Sequence, residues 1–358
     1  MADIFEFLDN STRSDSNQTA DVNWTISTAT RLKQSVPVIA LFGVSYFLIF
    51  ALCLVGNTLV CFVVIKIPRM RTVTNYFILN LAVSDLLVGI FCMPFTLVDN
   101  IVLGWPFGDA MCRLVPFMQT TSVIASVFTL LAIAVDRFYA VVLPMKPKLT
   151  VSQMAKAITA IWVFAVSISL PLIIFNHDKE YPDQVGNVVY LVHHCQEQFP
   201  GVDVSKYYSL SLFVLCYLVP LGIILVLYVL IGHRIWFKAT PGGQKASMEA
   251  QNIALQKKRK VVKMLIVVVV VFALFWLPLH TTLLLNDFVV QLTDVQKQIM
   301  YIYIFPIAHW LSYFNSSVNP IIYGYFNPNF RDAFKSLFSR KDGKGSASTA
   351  QSRISRCS

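Results

Sequence analysis

The chain has 358 residues, 56% of them apolar and 13% charged, against about 45–50% and about 25% in an average soluble domain, so an ordinary soluble globular protein is excluded. A net charge of +10 with a mean hydropathy of +0.62 leaves nucleic acid or a membrane surface as partners until the placement of the charge decides. Seven cysteines without a CxxC pair or a His/Cys group at zinc spacing exclude a disulfide scaffold and a metal finger.

The chain opens on a polar stretch, residues 1–37, that carries three N-x-S/T sequons at Asn10, Asn17 and Asn23. Each sequon alone is weak evidence, but together they predict a glycosylated extracellular tail. The opening MADIFEFLDN is acidic and lacks the basic and apolar regions of a cleavable signal peptide, so the first apolar run is expected to act as an uncleaved insertion signal.

A bilayer core of about 30 Å needs roughly 20 mostly apolar helical residues. Seven such runs follow, at Val38–Ile65, Tyr76–Val102, Met111–Leu143, Ala155–Phe175, Tyr207–Ile235, Val261–Phe288 and Met300–Phe326, numbered here as spans 1 to 7. Unpaired backbone groups find no water in a bilayer, so the spans must be helices. Beyond them, residues 329–339 place Phe330, Phe334, Leu337 and Phe338 opposite Arg331 and Lys335, the pattern of a short helix lying on the membrane surface. Residues 340–358 are rich in Ser, Gly, Lys and Arg without hydrophobic pattern, and a disordered tail is expected. The predicted fold is an all-α membrane protein, a seven-helix bundle over residues 38–328 with an amphipathic eighth helix.

Lys and Arg accumulate on the cytoplasmic side of membrane proteins. Of the 29 basic residues, 22 fall after spans 1, 3, 5 and 7, whereas 14 of the 19 acids fall on the other side. The N-terminus is therefore expected outside and the C-terminus inside, and the expected location is the plasma membrane. Topology accounts for the basic balance, and a nucleic-acid partner loses its support.

Several residues are costly in a membrane unless they act. Asp85 lies in the middle of span 2, and spans 3 and 7 offer Ser126, Asn315, Ser316 and Asn319. One carboxylate among neutral oxygens suits a small hard cation such as sodium, and equally a hydrated hydrogen-bond network. The sequon-like Asn315 lies inside span 7 and reads as a packing residue. Span 3 ends in Asp136-Arg137-Phe138, span 6 carries Phe275-Trp276-Leu277-Pro278, and span 7 ends in Asn319-Pro320-Ile321-Ile322-Tyr323. A proline removes a helix hydrogen bond and permits a kink, here where Asn319 is placed to satisfy the freed groups. Three kinked or ion-bearing spans together point to helices that move.

These residues resemble the rhodopsin-like G-protein-coupled receptors from Val38 to Phe338. The signatures are Gly56-Asn57, Leu81-Ala82-Val83-Ser84-Asp85, Asp136-Arg137-Phe138, Trp162, Pro220 with Tyr228, Phe272 with Phe-Trp-Leu-Pro, and Asn-Pro-Ile-Ile-Tyr followed by Phe330. The resemblance implies a disulfide between Cys112 and Cys195. It also implies an activation switch in which span 6 rotates about Pro278, with Trp276, Phe272, Val127 and Pro220 repacking, so that Arg137 and Tyr323 open a cavity for a heterotrimeric G protein. Arrestin and receptor kinases are the further partners it implies. The usual Cys before Trp276 is Phe275 here, and Lys258 stands where some relatives place an acid to pair Arg137, which leaves the local Asp136–Arg137 pair as the restraint.

Within that family, Gln119 stands where amine receptors place an Asp, and Tyr313 where retinal proteins place a Lys, so an amine and a photopigment are disfavoured and a peptide remains. The stretches beginning at Asn75 and Ala308 resemble the neuropeptide FF receptors and the invertebrate receptors for FMRFamide- and SIFamide-type peptides, with the neuropeptide Y receptors more distant. That resemblance implies that Asp287 pairs the penultimate Arg of an amidated peptide. Thr96, Gln119 and His309 then hold its amide end, with His280, Leu283 and Phe305 on the walls. Gln119 and Thr96 can both donate to and accept from a neutral carboxamide.

A channel or transporter would need polar residues repeated along several spans, and Asp85 is the one central ionisable residue. A membrane hydrolase would need a nucleophile with its base, or a His/Glu metal pair on one helix; neither pattern appears, no enzyme is expected, and sodium is the one cofactor considered.

Overall fold

A computed structural model of the protein describes residues 32–147, 149–185, 188–237, 245–289 and 293–339. All seven apolar runs are helical within it, and the differences from the expected limits follow from prolines and caps. Span 1 is Val36–Lys66, span 3 Gly108–Val142 and span 4 Val151–Phe175, the last opened by a capping box between Thr150 and Gln153. Span 2 is two helices, Val73–Phe91 and Met93–Ile101, that meet at Cys92. Pro94 has no N–H to give the preceding turn, so the helix breaks there. Span 5 runs Val202–Phe213 and Val219–Phe237 around a wider π turn at Val214–Leu218 just before Pro220.

Span 6 starts well before the expected boundary, at Lys245, and runs to Phe288, because residues 245–260 are mostly good helix formers. Span 7 begins as Asp294–Ile299 behind a Thr293 cap, passes a π turn at Met300–Ile304 and continues as Phe305–Phe326. Among the described residues six helices are long and apolar enough to cross a membrane. Span 7 carries more polar residues than these, and what it buries explains why: Ser312, Asn315, Ser316, Ser317 and Asn319 all face the bundle interior.

A short helix, Pro328–Ser339, follows. It buries Phe330 and Ala333 and sets the Phe330 ring 5.7 Å from that of Tyr323, as its apolar face predicts. The three sequons and the tail from residue 340 lie outside the described residues.

Span 3 lies at the centre of the bundle, in contact with spans 2, 4, 5 and 6. The main core includes Val60, Leu81, Leu130, Ile224, Met264, Phe272 and Tyr323, and a second cluster towards the outer side holds Tyr46, Cys92, Met93 and Tyr313. Polar side chains staple the helices where a bilayer supplies no alternative partners. Asn80 on span 2 donates to Thr129 of span 3 at 2.8 Å and accepts from the Trp162 indole of span 4 at 2.8 Å.

Spans 1 and 7 meet through Gly56, where an added Cβ would lie 2.8 Å from Cγ of Pro320. Gly56→Ala should therefore cost about 1–3 kcal/mol by overpacking, seen as a lower melting temperature of the purified protein; an unchanged melting temperature would show that the two helices separate freely. Beside it, Asn57 donates to the Ser316 carbonyl at 2.9 Å, the carbonyl whose normal partner Pro320 cannot provide. This corrects the expectation for Asn319: its amide donates to Asp85 instead, at 2.8 Å, and span 1 satisfies the kink.

The outer connection of spans 4 and 5 departs from the all-helix expectation. It is an antiparallel hairpin, β1 Asn176–Val185 and β2 Val188–Glu197, with Asp178 opposite Cys195. The disulfide between Cys112 and Cys195 fixes it to the top of span 3. Trp105 N–H adds a 2.7 Å bond to the His193 carbonyl, and Gly104, at φ +87°, leaves room for Val192 that a side chain would fill.

A candidate peptide vestibule and its inner switch

The outer ends of spans 2, 3, 6 and 7 bring the expected ligand residues into a layered arrangement. At the floor, Thr96 is buried on span 2 and shares a 2.7 Å hydrogen bond with the Tyr313 hydroxyl, which lies 3.0 Å from Oε1 of Gln119 on span 3. Three helices thus converge on one phenol. Tyr313 appeared in the sequence only as the residue in place of a lysine, so its bridging role was missed; its two partners come from helices far away in the chain. His309 sits one turn above it, its ring stacked 6.1 Å from that of Tyr313 and its Nδ1 3.0 Å from the Phe305 carbonyl. Nδ1 is therefore the protonated nitrogen, which leaves Nε2 as an acceptor. Phe305 stacks 6.0 Å from His309, and Leu283 is exposed on the outer half of span 6.

His280 lies between the aromatic rings of spans 5 and 6, 4.6 Å from Tyr217, 5.8 Å from Phe213 and 6.2 Å from Trp276. Its Nε2 and the Trp276 Nε1 are both buried without a hydrogen-bond partner among the described residues. Such groups cost free energy unless a water or a ligand meets them.

At the mouth, Asp287 accepts from Asn286 at 3.3 Å, and Asn286 is held by Tyr301 at 2.6 Å. A second acid, Glu197 at the end of β2, is close enough to feel the Asp287 charge. Its carboxyl titrates above the usual range, because the surrounding protein withholds solvent and Asp287 adds negative potential. Glu197 was read in the sequence as one more outer acid; only the hairpin and its disulfide bring it to Asp287. The mouth is therefore an anionic pair over a neutral, hydrogen-bonding floor.

In the membrane middle, Asp85 accepts from Asn319 at 2.8 Å and also bonds Ser316. The Oδ1 atoms of Asn315 and Asn319 are buried and unpaired among the described residues, and Ser126 is buried on the facing helix. A carboxylate with spare neutral oxygens fits a small hard cation or ordered water.

At the inner end, Asp136 accepts from the Thr74 hydroxyl at 2.7 Å and from Nε of Arg137 at 3.2 Å, while Arg137 also reaches Thr74. The restraint on Arg137 is thus a three-residue lock that includes span 2, one partner more than the sequence offers. Tyr228 is buried within reach of the Arg137 charge, and Tyr323 is buried with its hydroxyl unpartnered among the described residues. Phe272 packs 6.0 Å from Trp276. The Thr282 hydroxyl bonds the Pro278 carbonyl at 2.8 Å, and the Tyr217 hydroxyl bonds the Ala273 carbonyl across spans 5 and 6. Val127 is buried in the same core.

Residues 56–323 match the model of the 7 transmembrane receptor (rhodopsin family). The chain is 49% identical over 306 residues to neuropeptide FF receptor 2 of Rattus norvegicus, covering 84% of this chain and 73% of that one. It is 48% identical over 308 residues to neuropeptide FF receptor 1 of Homo sapiens, 84% and 71% of the two chains. The RYamide receptor of Drosophila melanogaster is 38% identical over 300 residues, 83% of this chain and 63% of that one.

Proposed function

Because the chain belongs to the rhodopsin family of seven-transmembrane receptors, we propose that it is a plasma-membrane receptor for an amidated, arginine-bearing peptide. It signals through a heterotrimeric G protein of the inhibitory type, with its N-terminus outside and its C-terminus inside. Relatives named for neuropeptide FF and RYamide support the ligand class. The observation that carries the reading is the vestibule itself, with Glu197 and Asp287 at the mouth over the Thr96–Tyr313–Gln119 floor. A guanidinium between two carboxylates makes short, charge-assisted bonds. A carboxamide can exchange hydrogen bonds with a hydroxyl and an amide, whereas a free carboxylate on the same floor lacks a cation.

Agonist contact at this level bears on His280 and Trp276. Repacking of Phe272, Val127 and Pro220 then lets span 6 turn at Pro278 and releases Arg137 from Asp136 and Thr74. Arrestin and receptor kinases are further partners of the opened inner face. The test is G-protein activation in cells by amidated Arg-Phe peptides, each paired with its free acid and with an Arg→Ala version. Activation by the amidated, Arg-bearing forms alone is expected. If none acts, a neuropeptide Y-type or unrelated peptide takes their place.

The Asp85 cluster predicts inhibition of agonist binding by sodium. Asp85→Asn should abolish that inhibition by removing the charge that draws the ion. Sodium sensitivity equal to that of the parent in a binding titration would assign the cluster to ordered water.

A further inference from the structure

The short segment before span 1 is fastened across the rim of the vestibule. Leu32 bridges Val102 in antiparallel fashion, Lys33 N–H donates to the Ile101 carbonyl at 2.7 Å, and Gln34 Nε2 donates to the Ile302 carbonyl at 2.6 Å. Residues 32–34 thus tie the outer ends of spans 2 and 7 together. From this strap the Lys33 ammonium reaches back to Asp99, 2.5 Å from its carbonyl and 3.5 Å from carboxylate Oδ1.

Asp99 follows Thr96 by three positions on one helix, which puts the two on the same face, the acid one turn nearer the mouth. Asp99 also lies close enough to His309 and Tyr313 for its charge to reach them, so it borders the floor. We infer that Asp99 is a second anionic subsite, distinct from the Asp287 pair, that takes a cationic side chain of the peptide upstream of its Arg and is held in the free protein by the chain's own Lys33.

Three observations make the exchange feasible. The Asp99 side chain is 42% exposed and that of Lys33 25%, so the incoming cation needs no buried path. An ion pair this open is weak and is readily traded for another of the same kind. The strap keeps its backbone bonds and its Gln34 bond when the ammonium leaves, so exchange does not require the strap to detach. The outer face is rich in acids, and Asp99 combines a resident cation with a position one turn above Thr96 of the floor.

The inference rests on the peptide reading above, and the experiment separates the two. Short peptides ending in Arg-Phe-amide are made with Lys or Gln at each of the three positions before the Arg and assayed for G-protein activation. The receptors are the parent, Lys33→Gln and Asp99→Asn, with surface expression measured for each. At one position the Lys peptide should be the more potent on the parent. Lys33→Gln, which frees Asp99, should raise the potency of that Lys peptide about threefold to fivefold and leave its Gln counterpart unchanged. Asp99→Asn should erase the preference while the Gln peptide stays active. Equal shifts of both peptides in Lys33→Gln, or a Lys preference that survives in Asp99→Asn, would overturn the subsite while the peptide reading stands. Inactivity of every peptide on the parent would overturn both.

Discussion

Asp287→Ala is expected to lower the potency of an arginine-bearing amidated peptide at least tenfold, about 1.4 kcal/mol, at unchanged surface expression. Truncating one partner of a desolvated charge pair costs about 2–5 kcal/mol, and two features of the mouth place this case towards the lower end. Asp287 is partly open to solvent, and Glu197 remains to hold part of the guanidinium's charge. The same geometry predicts coupling: Asp287→Ala with Glu197→Ala should lose a different amount from the sum of the single losses, since the two acids share one partner. The decisive control lies in the ligand. A peptide whose Arg is replaced by Ala should be weak on the parent and no weaker on Asp287→Ala, because the interaction is already gone. Equal potency of the Arg-bearing peptide on both receptors would sink the assignment and leave Asp287 a solvated acid. Asp287→Glu, which keeps the charge on a longer arm, should recover part of the loss.

The second large effect concerns the Cys112–Cys195 bond, whose two ends are 83 residues apart in sequence. A closed loop of that length restricts the unfolded chain by about 4–5 kcal/mol in the entropic model, and removal of a native disulfide costs about 2–5 kcal/mol in practice. Cys112→Ser should therefore reduce the amount of receptor at the surface. Binding should suffer more than stability alone requires, because the bond also sets the position of β2, and with it Glu197. The Cys112→Ser/Cys195→Ser double variant removes any unpaired thiol and should behave alike. Among the described residues the hairpin keeps the Trp105 bond to the His193 carbonyl, the 3.1 Å bond from Asp178 N–H to Asp109 and the 2.8 Å contact of Arg113 with His177. The disulfide is the covalent tie beside Glu197, on the same strand. Radioligand binding on receptor that does reach the surface, with and without a reductant, measures the effect; full affinity in the double variant would show that the hairpin holds itself in place.

Much of this molecule is legible from the amino-acid sequence, and the reason is the solvent. A bilayer demands a run of roughly 20 apolar residues for each crossing and forbids unpaired backbone, so hydropathy alone locates the spans, though not the inner start of span 6, which begins at Lys245. Prolines locate the irregularities, although Pro94 breaks span 2 at Cys92, where the hydrophobic run itself shows no seam. The hairpin escaped because its first strand, Asn176–Val185, is polar, contains Pro182 and has no alternation; its pairing is set by the covalent tie to span 3.

The same boundary runs through the candidate sites. That Asp85, Asp136, Arg137 and the prolines are special follows from their cost in a membrane, which a sequence displays. Which atom meets which does not follow. Asn57 rather than Asn319 satisfies the kink at Pro320, Tyr313 joins Thr96 to Gln119, Thr74 completes the Arg137 lock, and Lys33 occupies Asp99. Each of these partners lies on a different element, and a hydrogen bond is decided over a few tenths of an ångström. Hydrophobic periodicity fixes a helix and its depth in the bilayer, but it carries no information on the rotation and height of one helix against another, and those two quantities decide every contact between them.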